Sequence, residues 1–361
     1  MPGHLLFLTF ALRVRRGSRI GERGLSACDT GSLSERQITP AAAPTLGRRG
    51  TRGREARMNM SAPTSTYAGQ SEQTGEGTAA DTFQRHRGLL FSVVYHLLGS
   101  VTDTEDVLQD TWLSWSSVEH EQITNARAYL VRIAVNRALY RLRRERDRRE
   151  EYVGTWLPEP VVTEGGVEEN MLRGEHVSLA MMVVLENLSP LERAVFVLRE
   201  AFGYEYAEIA RTLDRTDDSV RQLAHRARKR MQDRRPRYRS DSDAVRAATE
   251  RFMAASLGAD LEALMEILAP DVQLWSDGGG KLRTALRVIE GRDKFLRLVA
   301  STSQRLPVGL SVAYLEVNGT PAAVLSTADG LWGLIAVELD PEGRVQAIYN
   351  VINPEKLSTF V

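Results

Sequence analysis

Cysteine is almost missing. Cys28 stands alone in the 361 residues, so neither a disulfide framework nor a cysteine-built zinc cluster can form, as suits a reducing, cytoplasmic location. Long apolar runs are missing as well. No stretch approaches the roughly 18 residues that a membrane-spanning helix needs, and 42% hydrophobic with 26% charged residues is the composition of a water-soluble globular chain. No histidine follows His225, which removes the commonest general base and metal ligand from the carboxy-terminal region. Lysine is absent from residues 1–57, where eleven Arg occur without any helical or strand period. The apolar run Leu5 to Leu12 is not expected to be a signal peptide, because its positive charges follow it and no small-residue cleavage site is evident. Residues 1–80 are therefore expected to be a disordered tail or an over-extended translation start, with Met58 or Met60 the natural beginning.

The formal net charge is zero, but the charges are segregated along the chain. In the unit expected over residues 81–150, Phe83, Leu90, Val94 and Leu97 recur at helical spacing from Thr82 to Leu98. A second helix begins at Asp103, with Val107, Leu108, Thr111, Trp112 and Trp115 as its apolar stripe. Asp103, Glu105, Asp106 and Asp110 make its other side acidic. The spacing of Trp112 and Trp115 favours packing over a role as exposed aromatics. A third helix, Ala126 to Arg149, carries nine Arg against Glu145 and Asp147. Val131, Val135, Ala138 or Leu139, and Leu142 form its packing face, and Arg137, Arg141, Arg144 and Arg148 are expected nearly opposite, facing an anion. An Arg row on a helix so poor in acid has the character of a phosphate-backbone footprint.

After a linker at 151–174, a second unit is expected over 175–235. Ser189, Pro190 and Glu192 spell a capping box with Pro in the first turn. A short helix Tyr206 to Leu213, a turn Asp214 to Thr216 and a basic helix from Asp217 to about Asp233 outline a helix-turn-helix. Its outward positions, Ser219, Arg221, Gln222, His225, Arg226, Lys229 and Arg230, suit base edges and phosphates. No second His or Cys at ligand spacing makes His225 a metal ligand, and neither metal nor cofactor is expected.

From residue 242 to 361 the periods predict helices Asp243 to Leu257 and Leu261 to Leu268, the second ended by Pro270, and a helix Arg292 to Ser301. Strands are predicted at Val272 to Ser276, Leu282 to Val288, Val308 to Val317, Ala322 to Thr327, Leu331 to Leu339 and Val345 to Ile352. Helices followed by a mainly antiparallel sheet indicate an α+β cone. Asp277 beside Trp275 is its best remaining acid, and Tyr314 and Tyr349 its possible donors.

The two helical units resemble the extracytoplasmic-function sigma factors of bacterial RNA polymerase. DTEDVLQDTWLSW resembles their polymerase-clamp helix, and ARAYLVRIAVNRALYRLRR the helix that reads the minus-ten element; residues 187–231 resemble the module that reads the minus-thirty-five element. The resemblance implies a clamp contact through Asp103, Glu105, Asp106, Gln109 and Asp110. It implies DNA contacts through Arg127, Arg132, Asn136, Arg137, Arg141 and Arg144, and through Ser219, Arg221, Gln222, His225, Arg226 and Lys229 in the major groove. WLPEP (Trp156 to Pro160), DGGGK (Asp277 to Lys281) and NPEKL (Asn353 to Leu357) resemble the signatures of members with a SnoaL-like, ketosteroid-isomerase-like carboxy-terminal extension, Glu355 departing conservatively from Asp. The expectation is a non-catalytic specificity subunit with an all-α amino-terminal part and a regulatory cone. RNA polymerase core, promoter DNA and a small ligand of the cone are its expected partners, and no membrane is. Trp156, Pro158, Asp277, Gly278, Gly279, Gly280, Asn353, Pro354 and Lys356 are expected to join cone and linker. Two alternatives remain: a regulator that binds duplex DNA without polymerase, and an isomerase or cyclase with a DNA-binding appendage.

Overall fold

In this computed structural model the described residues are 78–150, 152–163, 178–232, 241–302, 307–358 and 360. The expectations for the amino-terminal tail and Cys28, and those for the side chains of Arg146, Arg148 and Arg149, lie outside them.

Helix α1 (Ala79–Leu98) starts at a Thr78/Asp81 capping box and stops at Gly99, whose φ of 71° closes the helix in the left-handed region. Helices α2 (Val101–Ser116) and α3 (Ala126–Glu150) pack against it. Trp115 is core, its indole N–H donating to Ala79 O at 2.8 Å, and Trp112 meets Phe83 edge-on at 5.3 Å. Helices α4 (Leu179–Leu185) and α5 (Pro190–Phe196) follow, the latter capped by Ser189 and Glu192 as the sequence predicts and continued by a π-helical turn Val197–Ala201. Helix α6 (Tyr206–Leu213) ends at Asp214 with φ 54°, and α7 (Asp217–Gln232) crosses it. The two helical units share a single apolar core that runs from Phe83 through Leu139 to Val195 and Ala227.

The cone comprises α8 (Ser242–Leu257), α9 (Leu261–Ile267), α10 (Arg292–Thr302), α11 (Pro354–Leu357) and a six-stranded sheet. The strands are β1 (Leu268–Asp277), β2 (Ile289–Glu290), β3 (Ser311–Val317), β4 (Thr320–Thr327), β5 (Gly330–Leu339) and β6 (Val345–Val351), in the order β2-β1-β6-β5-β4-β3. Only β1 and β6 run parallel. Alternation along β4 and β5 sends Ala323, Leu325, Ile335 and Val337 inward beneath the helices. Ala322, Val324, Leu334 and Ala336 face the other way, where Leu157 and the α4 residues Leu179 and Val183 cover them.

Two expectations are corrected. Helix α9 ends at Ile267, within one residue of expectation, but Pro270 is not its stop: it lies inside β1 at a register shift against β6, the kind of irregularity at which a strand tolerates proline. Residues 282–288 form no strand. The turn returning Lys281 N and Leu282 N to Gly278 O, together with a hydroxyl contact between Thr284 and Ser276, holds this segment out of the ladder until β2.

Candidate functional site

On α3 the Arg row divides. Arg132, Asn136 and Arg144 are exposed, as is Tyr140, over whose ring the Arg144 guanidinium lies at 5.9 Å. Arg137 and Arg141 do not stand opposite the packing face but lean on α2. Arg141 pairs with Asp103 at 3.0 Å and Asp106 at 3.1 Å, and Arg137 with Asp110 at 3.4 Å and the Ser114 hydroxyl at 2.6 Å. In this arrangement the carboxylates of α2 are the partners of these two side chains, and the acidic and basic helices neutralise each other along their seam. Glu105 is likewise held by Arg87 at 2.7 Å. Asp106 and Gln109 stay outward, in line with Leu113, which is 58% exposed.

On α7, Arg221, Gln222, His225, Arg226 and Lys229 are exposed and Ser219 is half-buried, so one face of the helix is open and basic. Arg226 and Arg230 also pair with Glu192, the carboxylate that caps α5. The two units meet through the residues expected to read DNA. The Asn136 amide donates to Thr212 O at 3.1 Å, and the Arg127 guanidinium lies 5.6 Å from the Tyr204 ring. Behind them Arg193, fully buried, donates to His96 O at 3.2 Å and pairs with Glu186 at 2.5 Å.

The three short motifs converge although 74 to 199 positions separate their bonded residues. Asp277, wholly buried at the end of β1, accepts on one oxygen from Leu157 N at 2.8 Å and from Lys356 Nζ at 2.7 Å. Its other oxygen accepts from the Tyr152 hydroxyl at 2.6 Å and from Gly279 N at 3.0 Å. Lys356, 6% exposed, also donates to Leu157 O and lies 4.1 Å from the centroid of the Trp156 ring. Both backbone groups of Leu157 are thereby gripped by one buried ion pair. Asn353 caps α11 by accepting from Glu355 N at 3.1 Å, Pro354 fills the first helical position, and the Asn353 amide donates to Tyr152 at 3.1 Å. A side chain at Gly279, where φ is 63°, would stand 2.5 Å from that amide, so any larger residue would force the Asn353 amide to shift. Lys281 and Glu355 pair at the surface. Burial, and the Asp277 carboxylate that its hydroxyl serves, hold the Tyr152 phenol far above its ordinary range.

A second contact, unread in the sequence, fastens the far end of the linker. Asn318, in the turn between β3 and β4, donates to the Tyr95 hydroxyl of α1 at 2.7 Å and accepts from Val161 N at 3.1 Å. Tyr95 donates in turn to Glu159 O at 2.5 Å. Thr163 N reaches Glu316 O at 2.8 Å, adding the linker to the edge of β3 through the Val162–Val317 bridge. The Glu159 carboxylate accepts from Val101 N at 2.7 Å, capping the acidic helix α2. Trp156 and Pro158 pack on Gly99, where an added side chain would meet the Trp156 ring at 2.7 Å. The linker is thus bound to the cone on one side and to α1 and α2 on the other.

Asp277 is engaged by four donors, and the Tyr349 hydroxyl is turned to Glu338 at 3.1 Å. No group of metal-ligating side chains occurs among the described residues.

Comparison with known proteins agrees with this layout. A family model for sigma-70 region 2 matches residues 82–148, and one for sigma-70 region 4 matches residues 178–231. Over 290 residues the chain is 37% identical to the ECF RNA polymerase sigma factor SigJ of Mycobacterium tuberculosis, covering 76% of this chain and 92% of the relative. The chain belongs to the extracytoplasmic-function RNA polymerase sigma factors. A further relative of this sigma factor is the probable ECF RNA polymerase sigma factor SigI of M. tuberculosis, 28% identical over 281 residues, which are 76% of this chain and 93% of the relative. The crystal structure of M. tuberculosis SigJ superposes with a TM-score of 0.62 at 32% identity, covering 78% of this chain and 99% of that one. As a sigma factor the protein is a non-catalytic specificity subunit, and its carboxy-terminal domain is the SnoaL-like α+β cone.

Proposed function

We propose that this sigma factor acts in the cytoplasm as a self-regulated initiation subunit, in which the cone sets how far the two DNA-reading units separate. It binds RNA polymerase core and directs promoter-specific initiation. In our reading, Asp106, Gln109 and the exposed Leu113 on α2 form the clamp-facing edge, with Asp103, Glu105 and Asp110 behind them in the seam with α1 and α3. Arg127, Arg132, Asn136 and Arg144 take the minus-ten strand, Arg137 and Arg141 supporting them, and the open face of α7 takes the upstream major groove. The observation that carries the regulatory part is the buried Lys356–Asp277 pair closed on Leu157. A linker held at both backbone groups, and again at Val161, keeps the two units in their shared packing. On the promoter they must part, because Asn136 and Arg127 are engaged with Thr212 and Tyr204. The test is co-purification with core polymerase and mapping of start sites. The full chain and an Asn318→Ala variant should both bind core and start at the same position, whereas Asp106→Lys with Gln109→Lys should bind core at least about tenfold more weakly. Failure of the full chain to bind core overturns the assignment.

A further inference from the structure

At the first turn of α6 the half-buried Tyr206 ring gathers three arginines. The guanidiniums of Arg199 and Arg221 lie over it, 4.8 and 4.9 Å from its centroid, and Arg228 donates to its hydroxyl at 3.0 Å. Two of the three are also tied elsewhere. Arg199 donates to Tyr204 O at 2.8 Å and pairs with Glu205 at 3.2 Å, and Arg228 pairs with Glu200 at 2.7 Å. Arg221 pairs with no carboxylate among the described residues, and its contact is the ring. Further along the same helix Arg226 and Arg230 are drawn to Glu192. An aromatic face that holds a guanidinium restrains it and leaves its N–H donors unspent, whereas a carboxylate consumes them.

Arg221 also stands where base edges are met. It is exposed, and it is the one Lys or Arg between Asp217 and Ala224, the amino-terminal turns of the helix that a helix-turn-helix lays in the major groove. We propose that Tyr206 is a positioning residue for promoter recognition: its ring presents the Arg221 guanidinium to a guanine of the upstream element. The guanidinium donates to O6 and N7 together, since guanine is the base whose major-groove edge offers two acceptors to that fork. Restraining a long side chain before it meets the base removes an ordering cost that binding would otherwise carry. The ring thus favours one base edge over its competitors without touching DNA itself. This role rests on the reading that α7 takes the upstream major groove.

The test uses holoenzyme assembled from core polymerase and the full chain. Each base pair of the upstream element is replaced in turn, and binding is measured at constant salt. The parent should lose at least about tenfold in affinity when one particular G·C pair is replaced. Arg221→Ala should abolish that preference and keep the preferences at other positions. Tyr206→Leu should reduce it to about threefold or less, whereas Tyr206→Phe, which keeps the ring, should retain it. A merely structural role would weaken binding to every promoter alike and leave the ratio between them untouched. Arg221→Ala without effect on any base preference, Tyr206→Leu that lowers affinity evenly across the scan, or Tyr206→Phe as damaging to the preference as Tyr206→Leu overturns the proposal. Arg226→Ala with Lys229→Ala is the control. If this pair weakens promoter binding while Arg221→Ala changes no preference, the role of Tyr206 and Arg221 fails alone. If neither changes binding, α7 does not take the groove, and the underlying reading fails with it.

Discussion

Removing the Lys356 ammonium isolates a carboxylate that has no access to water. In Lys356→Met the Asp277 side chain, 0% exposed, keeps its bonds from Leu157 N, Tyr152 and Gly279 N but loses the cation that pairs with it among the described residues. Breaking one side of a buried ion pair costs about 3–5 kcal/mol. The surviving donors place this case near about 3 kcal/mol, because each still satisfies an Asp277 lone pair. For a unit of this size about 2–4 °C is lost per kcal/mol, so the melting midpoint should fall by about 6–12 °C. Thermal unfolding of the full chain measures this. Neutralising both partners in Asp277→Asn with Lys356→Met should recover part of the loss, giving a coupling of about 1–3 kcal/mol in a double-mutant cycle. A shift below about 1 °C for Lys356→Met, or strictly additive single effects, would refute the view that these two residues act as one buried pair.

Other consequences are as specific. Asn318→Ala should cost about 1–3 kcal/mol, since it strips Val161 N of its acceptor and Tyr95 of its donor, and amide exchange at Val161 should accelerate with it. Gly279→Ala should cost about 1–2 kcal/mol from its left-handed backbone alone, with a further loss from the contact with Asn353, both read as a lowered melting midpoint. Burial lifts the Glu338 carboxyl above the ordinary glutamate range, against the opposing effect of the Tyr349 hydroxyl. A raised folded pKa contributes stability below the unfolded value and loses it as pH rises through the folded one. Glu338→Gln should therefore melt higher than the parent at mildly alkaline pH, and the difference should vanish near about pH 4, below the glutamate range.

Local signals carried most of the architecture into the sequence. The capping box at Ser189 and Glu192, and the helix from Tyr206 to Leu213 with its turn, stand where pattern and capping chemistry predict. Pattern failed at 282–288, where apolar residues alternate but one buried Thr284 hydroxyl and a Gly turn decide against a ladder. It failed again on α3, because period alone cannot say that Arg137 and Arg141 lie near enough to α2 to pair with its acids. The clamp at Asn318 was half legible. Asn-Gly marks a hairpin, but nothing local tells that its amide reaches Tyr95 across 223 positions. Tyr95 itself reads as one more apolar residue of α1, and Tyr152 lies outside all three motifs it joins.

Run-off transcription with purified core polymerase, comparing the full chain with Lys356→Met on the promoter upstream of its own gene, reaches the central claim most directly. Both proteins should start at the same nucleotide, and the extent of initiation should differ several-fold, because only the grip on Leu157 has changed. Equal initiation by both would contradict control through the latch, and initiation by neither would contradict the sigma-factor account itself.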